Sequence, residues 1–278
     1  MSEVQRPRRL VLLGHPVSHS LSPQFQQAAL DHHRIALRYE AVDVAPSDLE
    51  RVVLGLRAER AAGNVTLPHK TAMAALCSSR SAVAARANAV NTFWCDSSGA
   101  LNGDNTDVGG FRFAAQTLVG RELRGLRVVM IGAGGAAAGV AQALDGVRDI
   151  SLIVHARNPV ASAELVKRFG AGGSATDGTE QALVAALESA DLVVNATSLG
   201  IEGSDVLPLA PALVPARAAA LDLTYRRNGP TPWVRALRAL SRPADDGITM
   251  LLEQGALAFE RWFGIEAPRA VMARAVGR

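Results

Sequence analysis

The sequence has few cysteines, few aromatic residues and almost no lysine. Cys77 and Cys95 are the only thiols in 278 residues, too few for a disulfide framework. No apolar run approaches the roughly 18 residues that a membrane-spanning helix needs. Leu10–Leu13, behind Arg6, Arg8 and Arg9, is too short for the core of a secretory signal and reads as a strand meeting a turn at Gly14 and Pro16. Both features suit a reducing cytoplasm and point to no membrane partner. A strong excess of one charge is lacking too. The net charge is +3 with the basic residues scattered, so the N-terminal arginines read as a solvated tail and no nucleic-acid partner is expected. The six histidines show no helical pair with a carboxylate at ligand spacing. His32 and His33 are adjacent and point apart, so no metal is expected either.

The shortage of lysine is informative. Among 29 basic residues only Lys70 and Lys167 are lysines, and an amine can give up a proton where a guanidinium cannot. Lys167 shows that a lysine can persist by chance, so the surroundings of Lys70 decide.

What the chain does contain is alternation. Strand-like runs at Leu10–Leu13, Leu37–Val42 and Val90–Trp94 are interleaved with helical patterns at Pro23–His32, Pro46–Arg57 and Pro68–Ser78, each with a proline near its start. Beyond residue 125 the strand-like runs become continuously apolar, as in a parallel sheet buried on both faces: Leu126–Ile131, Ile150–Val154, Leu192–Asn195 and Ala219–Leu223. Helices are expected at Ala136–Leu144, Pro159–Phe169, Gln181–Ser189 and Thr249–Phe263. The pattern predicts an α/β protein, and the length favours two domains. The boundary falls near Thr106–Gly110. Residues 1–107 form an N-terminal α/β domain, 108–247 a Rossmann-type domain with a parallel sheet, and 248–278 a helical return to the first, with the active site in the cleft between the two domains.

Gly132-x-Gly134-x-x-Ala137 follows an expected strand and opens an expected helix. That is the setting in which such a turn binds a dinucleotide: Gly132 for the tight turn, Gly134 for close approach to the pyrophosphate, and helix N–H groups as donors. A tight turn with no ligand is the plain alternative. An NAD site places an acid about 20 residues on. Here His155-Ala156-Arg157-Asn158 stands there, with no carboxylate until Glu164. Arg157 suits a 2′-phosphate, so NADP is the expected cofactor, although an arginine-rich chain also offers ordinary surface arginines.

Four polar clusters remain that packing does not explain: Ser18-His19-Ser20-Leu21-Ser22-Pro23, Gly63–Lys70, Asn88–Thr92 and Gly103-Asp104-Asn105-Thr106-Asp107. They supply hydroxyls, amides, one amine and one carboxylate, a set suited to a small polyol acid. Reducing a ketone puts charge on the carbonyl oxygen. Lys70 as an ammonium can stabilise and then protonate that oxygen, with Asp107 orienting it. A structural ion pair is the alternative.

With these clusters in order, the chain resembles the shikimate dehydrogenase family, through G-x-P-x-x-H-S-x-S-P, N-V-T-x-P-x-K, A-V-N-T, G-x-N-T-D-x-x-G, the turn at Gly132–Ala137, Asn195–Gly200, Asp222–Tyr225 and Met250-Leu251-Leu252-x-Gln254. The similarity covers nearly the whole chain. It implies reversible NADPH-dependent reduction of 3-dehydroshikimate to shikimate, in the chorismate route to aromatic amino acids, by a cytoplasmic enzyme, and leaves room for a homodimer. Carried over to this sequence, Lys70 and Asp107 are the catalytic pair. Ser20 and Ser22 bind the carboxylate, and Asn64, Thr66, Asn91 and Gln254 bind ring hydroxyls. Tyr225 and Gly247 line the cleft near substrate and nicotinamide. The cofactor is met by Gly132, Ala133, Gly134, Gly135, Ala136 and Ala137, by Ala156, Arg157 and Asn158, and by Thr197, Ser198 and Gly247. The chain departs from the family where His-Asn is replaced by Gln26-Gln27 and Asn-Arg-Thr by Ala156-Arg157-Asn158. A quinate/shikimate or aminoshikimate enzyme, or a non-catalytic NADP sensor on the same scaffold, are the alternatives. A methylene-tetrahydrofolate dehydrogenase leaves the serine pair and the Asn-Thr-Asp segment unexplained.

Overall fold

The computed structural model describes residues 6–169, 172–201 and 205–278. The chain divides into two compact units: one runs through Gly110 and resumes at Leu251–Arg278, and the other is Phe111–Met250.

The elements of the first unit run β1 (Arg9–Gly14), α1 (Ser22–His32), β2 (Tyr39–Asp43), α2 (Leu49–Ala58), β3 (Ala61–Val65), α3 (Lys70–Leu76), β4 (Ser79–Arg80), α4 (Ala82–Ala87), β5 (Thr92–Cys95) and β6 (Leu101–Asp104). Its sheet has the order β2-β1-β3-β5-β6-β4. β1 is parallel to β2 and β3, β5 is antiparallel to β3 and β6, and β4 is parallel to β6. In register, Leu13 pairs with Val65, Asn64 with Thr92, and Thr92 with Asp104. The C-terminal ends of β1, β3 and β6 and the start of β5 therefore share one edge, and all four polar clusters of the sequence emerge there. The core beneath is aliphatic, built from Val11, Leu13, Val53, Leu56, Met73, Phe93 and Leu101 among others.

β3 is one of the elements that sequence pattern does not reveal. Its residues are Ala-Ala-Gly-Asn-Val, all buried. The small residues are a packing requirement, because a Cβ on Gly63 would lie 2.0 Å from the Val11 carbonyl oxygen across the strand pair. Other boundaries shift as well. The expected strand at Leu37–Val42 begins only at Tyr39, and that at Val90–Trp94 only at Thr92. Asn91 sits just ahead of β5, its N–H on the Asp104 carbonyl. Pro68 lies in the turn before α3 rather than in its first turn, since the His69 N–H closes back on the Thr66 carbonyl. The expected helix at Pro46–Arg57 opens with a 3₁₀ turn over Pro46–Asp48.

The chain continues through α5 (Asp107–Val119), β7 (Arg127–Ile131), α6 (Gly135–Leu144), β8 (Ser151–His155), α7 (Pro159–Phe169), β9 (Gly173–Ala175), α8 (Glu180–Leu187), β10 (Leu192–Asn195), β11 (Ala219–Asp222), α9 (Pro232–Ala239) and β12 (Ala244–Asp245), and ends with α10 (Ile248–Phe263) and α11 (Arg269–Ala275). The second sheet has the order β12-β11-β10-β7-β8-β9 with every pair parallel. The chain enters at the centre, on β7, winds outward through β8 and β9, then returns to β10 on the other side. This is the doubly wound dinucleotide order, whose switch point lies between β7 and β10. Buried Val128, Val129, Met130, Val193, Val194 and Leu221 account for the continuous apolar runs in the sequence.

Candidate active site

In the first unit the polar residues of the sheet edge form one connected network. Lys70 opens α3 and Asp107 opens α5, where its carboxylate also faces the positive end of the helix. Lys70 Nζ donates to Asp107 Oδ2 at 2.7 Å, with both side chains only partly exposed. The other carboxylate oxygen, Oδ1, accepts from Asn91 Nδ2 at 2.9 Å. Asn91 is itself tied down. Its Oδ1 accepts the Thr106 N–H at 2.7 Å, and Nδ2 also lies 3.3 Å from Gln254 Oε1.

The Gly103–Asp107 segment explains how Asp107 is aimed. The Asp107 N–H donates to Asn105 Oδ1 at 3.1 Å, the Asn105 amide donates to the Ala89 carbonyl, and the Asn105 N–H donates to Asp104 Oδ1. The side chains of Asp104 and Asn105 thus fix the turn that delivers the carboxylate. Asn105 and Thr106 belong to a polar cluster named from the sequence, but no role of their own was read there. Their signal was an Asn two residues before the Asp, the spacing of a side chain capping its own backbone.

Lys70 carries three N–H hydrogens and makes one hydrogen bond, to Asp107, among the described residues. Two remain for a substrate oxygen. Ser22 is buried in the first turn of α1, and its N–H donates to Ser20 Oγ. Neither serine hydroxyl donates to a protein group among the described residues, so both are available to an anion. Thr66 lies at the end of β3 with its methyl seated on Gly14, where a Cβ would come within 2.5 Å of it. Asn64 and Gln254 are buried, the latter on α10.

In the second unit the expected cofactor residues gather at the C-terminal edge of the parallel sheet. Gly132 follows β7 with φ +108, and a Cβ there would meet the Ala196 carbonyl at 2.9 Å, so this turn requires glycine. Over Gly134 and Gly135 nothing lies within 4 Å of where a Cβ would stand. Gly134 caps α6, and no side chain among the described residues occupies the helix's first N–H groups, which leaves them for a ligand. An open glycine face over free helix N–H donors fits a pyrophosphate.

At the end of β8, Arg157 is exposed and has no ion-pair or hydrogen-bond partner among the described residues. His155 bonds Thr176 through Nδ1, and partial burial lowers its imidazole below the usual histidine value despite nearby Asp177. It is therefore neutral near pH 7, and Arg157 is the cation of this loop. Asn158 has a structural task that the sequence did not suggest, its Oδ1 accepting the Val160 and Ala161 N–H groups at the start of α7. Ala133, Ala136 and Ala137 line the turn or the first turn of α6, with Ala137 buried against the sheet. Thr197 follows β10, held by hydrogen bonds to Asn195 Oδ1, with Ser198 exposed beside it. Tyr225 follows β11. Gly247 follows β12, where a Cβ would meet the Leu223 carbonyl oxygen at 2.4 Å.

Buried Asp222 joins these strand ends. It accepts from Asn195, Thr224 and Thr231, and burial pushes its carboxyl above the usual range against the pull of those donors. No group of three His, Cys, Asp or Glu residues able to hold a metal occurs among the described residues, and none of their helices is long and apolar enough to cross a membrane.

Comparison with known proteins agrees across both units. The shikimate dehydrogenase substrate binding domain matches residues 12–93, and the shikimate 5′-dehydrogenase C-terminal domain matches residues 247–276. A shikimate dehydrogenase (NADP(+)) of Mesorhizobium japonicum is 39% identical over 94% of this chain and 92% of its own length. Among solved structures, the shikimate 5-dehydrogenase of Thermus thermophilus, in complex with NADP(H) and shikimate, superposes with a TM-score of 0.84 at 36% identity, covering 96% of this chain and 98% of that one. A quinate dehydrogenase from Corynebacterium glutamicum in complex with NAD reaches a TM-score of 0.86 at 25% identity, covering 98% and 99%. The nucleotide turn, the Lys-Asp pair and the order of motifs thus coincide with a relationship that spans the chain: it belongs to the shikimate dehydrogenase family.

Proposed function

We infer that this chain catalyses the reversible, NADPH-dependent reduction of 3-dehydroshikimate to shikimate, a step of aromatic amino acid biosynthesis. The observation that carries the reading is Lys70 bound to Asp107 at 2.7 Å, with Asn91 holding the other carboxylate oxygen. Residues 1–107 with 248–278 serve as the substrate-binding domain and 108–247 as the NADP-binding domain. The location is cytoplasmic, and neither nucleic acid nor membrane is a partner.

Held by the Gly132–Ala137 turn and Arg157, NADPH would supply a hydride to the ring carbonyl carbon. The carbonyl oxygen then gains negative charge, which the Lys70 ammonium meets with an N–H not used on Asp107. A proton passes from Nζ to that oxygen to complete the alcohol, and in the reverse direction the neutral amine takes it back. Asp107 accepts from Nζ throughout and so keeps it aimed. A sensor that only bound NADP would need no such pair.

The replacement of His-Asn by Gln26-Gln27 has an architectural explanation. Gln26 Nε2 donates to the Gly255 carbonyl at 2.9 Å, and Gln27 bonds the Leu37 carbonyl and the Tyr39 N–H. Both side chains bind the chain's own backbone, so the departure gives no support to a change of substrate. Purified protein assayed with shikimate and quinate, each with NADP⁺ and NAD⁺, should be fastest with shikimate and NADP⁺. Preference for quinate would overturn the assignment.

Two further outcomes follow from the sites. Replacing both Ser20 and Ser22 with Ala should raise KM for shikimate roughly tenfold or more, since a hydrogen bond to a charged partner is worth about 1.5–3 kcal/mol, and should leave KM for NADP⁺ nearly unchanged. An unaltered KM for shikimate would show that the carboxylate binds elsewhere. Arg157→Ala should weaken NADP⁺ by roughly tenfold or more while barely affecting NAD⁺, because only the former offers a 2′-phosphate for a charge-assisted pair. Equal use of both cofactors by the unmutated protein would refute that role.

A further inference from the structure

We propose that Tyr39 is a positioning residue for substrate recognition: its phenol holds the Asn64 carboxamide so that the amide nitrogen, rather than the oxygen, is offered to an oxygen of the bound substrate. The proposal rests on the reading of Asn64 as a substrate ligand.

Asn64 stands near the end of β3, almost wholly buried. Its amide could in principle face either way, and two neighbours decide. Nδ2 lies 3.2 Å from the Asn91 backbone carbonyl. A carbonyl can only accept, so the atom facing it must be the nitrogen. On the other side Oδ1 lies 2.7 Å from Tyr39 Oη. With Oδ1 defined as an acceptor, the phenol must donate. The carboxamide is thus held from both ends, and its second N–H is the donor left over.

Tyr39 is well suited to be a permanent donor. It is buried, and its ring lies 6.2 Å from that of Trp262 in a tilted arrangement. Burial pushes the phenol far above its ordinary value, so the hydroxyl keeps its proton at any pH where the protein works. Its backbone is also fixed. The Tyr39 N–H donates to Gln27 Oε1 at 3.0 Å, and Gln27 Nε2 donates to Asp31 Oδ1 and the Leu37 carbonyl. Gln27, one of the two departures from the family pattern, therefore anchors the tyrosine that orients Asn64.

The consequence concerns specificity. Asn64 presents a donor, so a substrate oxygen that meets it must accept: a hydroxyl turned lone pair first, or a carbonyl. Without the phenol, Oδ1 becomes a buried acceptor with no partner, and the amide gains freedom to rotate in search of one.

The experiment is steady-state kinetics with shikimate and NADP⁺ on the full chain. Turnover by the unmutated protein establishes the reading on which the proposal rests. No turnover there would remove that reading and the proposal with it, before any variant is examined. Given turnover, Tyr39→Phe should raise KM for shikimate roughly two- to tenfold, the worth of one neutral hydrogen bond. It should leave kcat within about twofold and KM for NADP⁺ unchanged. In an Asn64→Ala background the same change should have little further effect, because the group it orients is gone. An unchanged KM for shikimate, an equal rise in both backgrounds, or a joint loss across both substrates and kcat would overturn the proposal. Asn64→Asp gives an arm that leaves Tyr39 intact. It preserves shape and an acceptor for the phenol but removes both N–H groups, so KM for shikimate should rise at least as much as in Tyr39→Phe. Unaltered KM in that variant would show that the nitrogen is not the atom presented.

Discussion

Lys70→Ala is expected to lower turnover of shikimate by about 10²–10⁴-fold, the range typical for loss of a positioned acid–base group. NADP⁺ binding should survive, because the glycine turn and Arg157 belong to a different unit of the chain from Lys70. Lys70→Arg separates the two tasks assigned to the ammonium. A guanidinium at this position keeps the positive charge but does not yield a proton near neutrality. If charge stabilisation alone mattered, the arginine variant would retain much of the rate. The proton-transfer role requires it to fall close to the alanine variant. Near-normal turnover in Lys70→Ala would return Lys70 to the status of an ordinary ion-paired residue.

Asp107→Asn should be nearly as damaging. The side chain keeps its size, but Oδ2, which now accepts from Nζ at 2.7 Å, or Oδ1, which accepts from Asn91 at 2.9 Å, must become an amide nitrogen. Either arrangement places a donor against a donor. If the amide faces Lys70 the ammonium is pushed off line, and if it faces Asn91 the turn through Thr106 is disturbed. We expect a loss of about 10²-fold or more in kcat. The double variant Lys70→Ala, Asp107→Asn should be little worse than Lys70→Ala alone, since groups that act as a unit are not additive. Multiplicative losses would mean that Asp107 contributes by a route independent of Lys70.

The two units were unequally legible in the sequence. The Rossmann-type half was readable because a parallel sheet covered on both faces writes itself as apolar runs, and because Gly132 has few substitutes at that turn. In the first unit the four polar clusters pointed to the site, but β3 was hidden inside one of them. Its Gly63 is dictated by the Val11 carbonyl, and its Asn64 bonds Tyr39 and the Asn91 carbonyl, so neither resembles the β-branched filling of an ordinary strand. α9 was missed although Thr231 followed by Pro232 is a helix-opening pair, and the Thr231 hydroxyl does cap it. Lys70 is singled out in the sequence by its rarity and Asp107 by motif. Their distance, and the carboxamide of Asn91 that joins them, depend on the register of β5 with β3 and β6, which local pattern does not encode. Tyr39 was beyond reach for a similar reason. A tyrosine opening a strand reads as core, and only the placement of β2 beside β1, and β1 beside β3, brings its hydroxyl to Asn64.

The most direct test of the account is to incubate the purified, unmutated chain with 3-dehydroshikimate and NADPH, follow cofactor consumption, and identify the product by NMR. One NADPH should be consumed for each 3-dehydroshikimate lost, with shikimate as the sole product. Binding of NADPH without conversion of 3-dehydroshikimate would contradict it and leave the chain a nucleotide-binding member of its family.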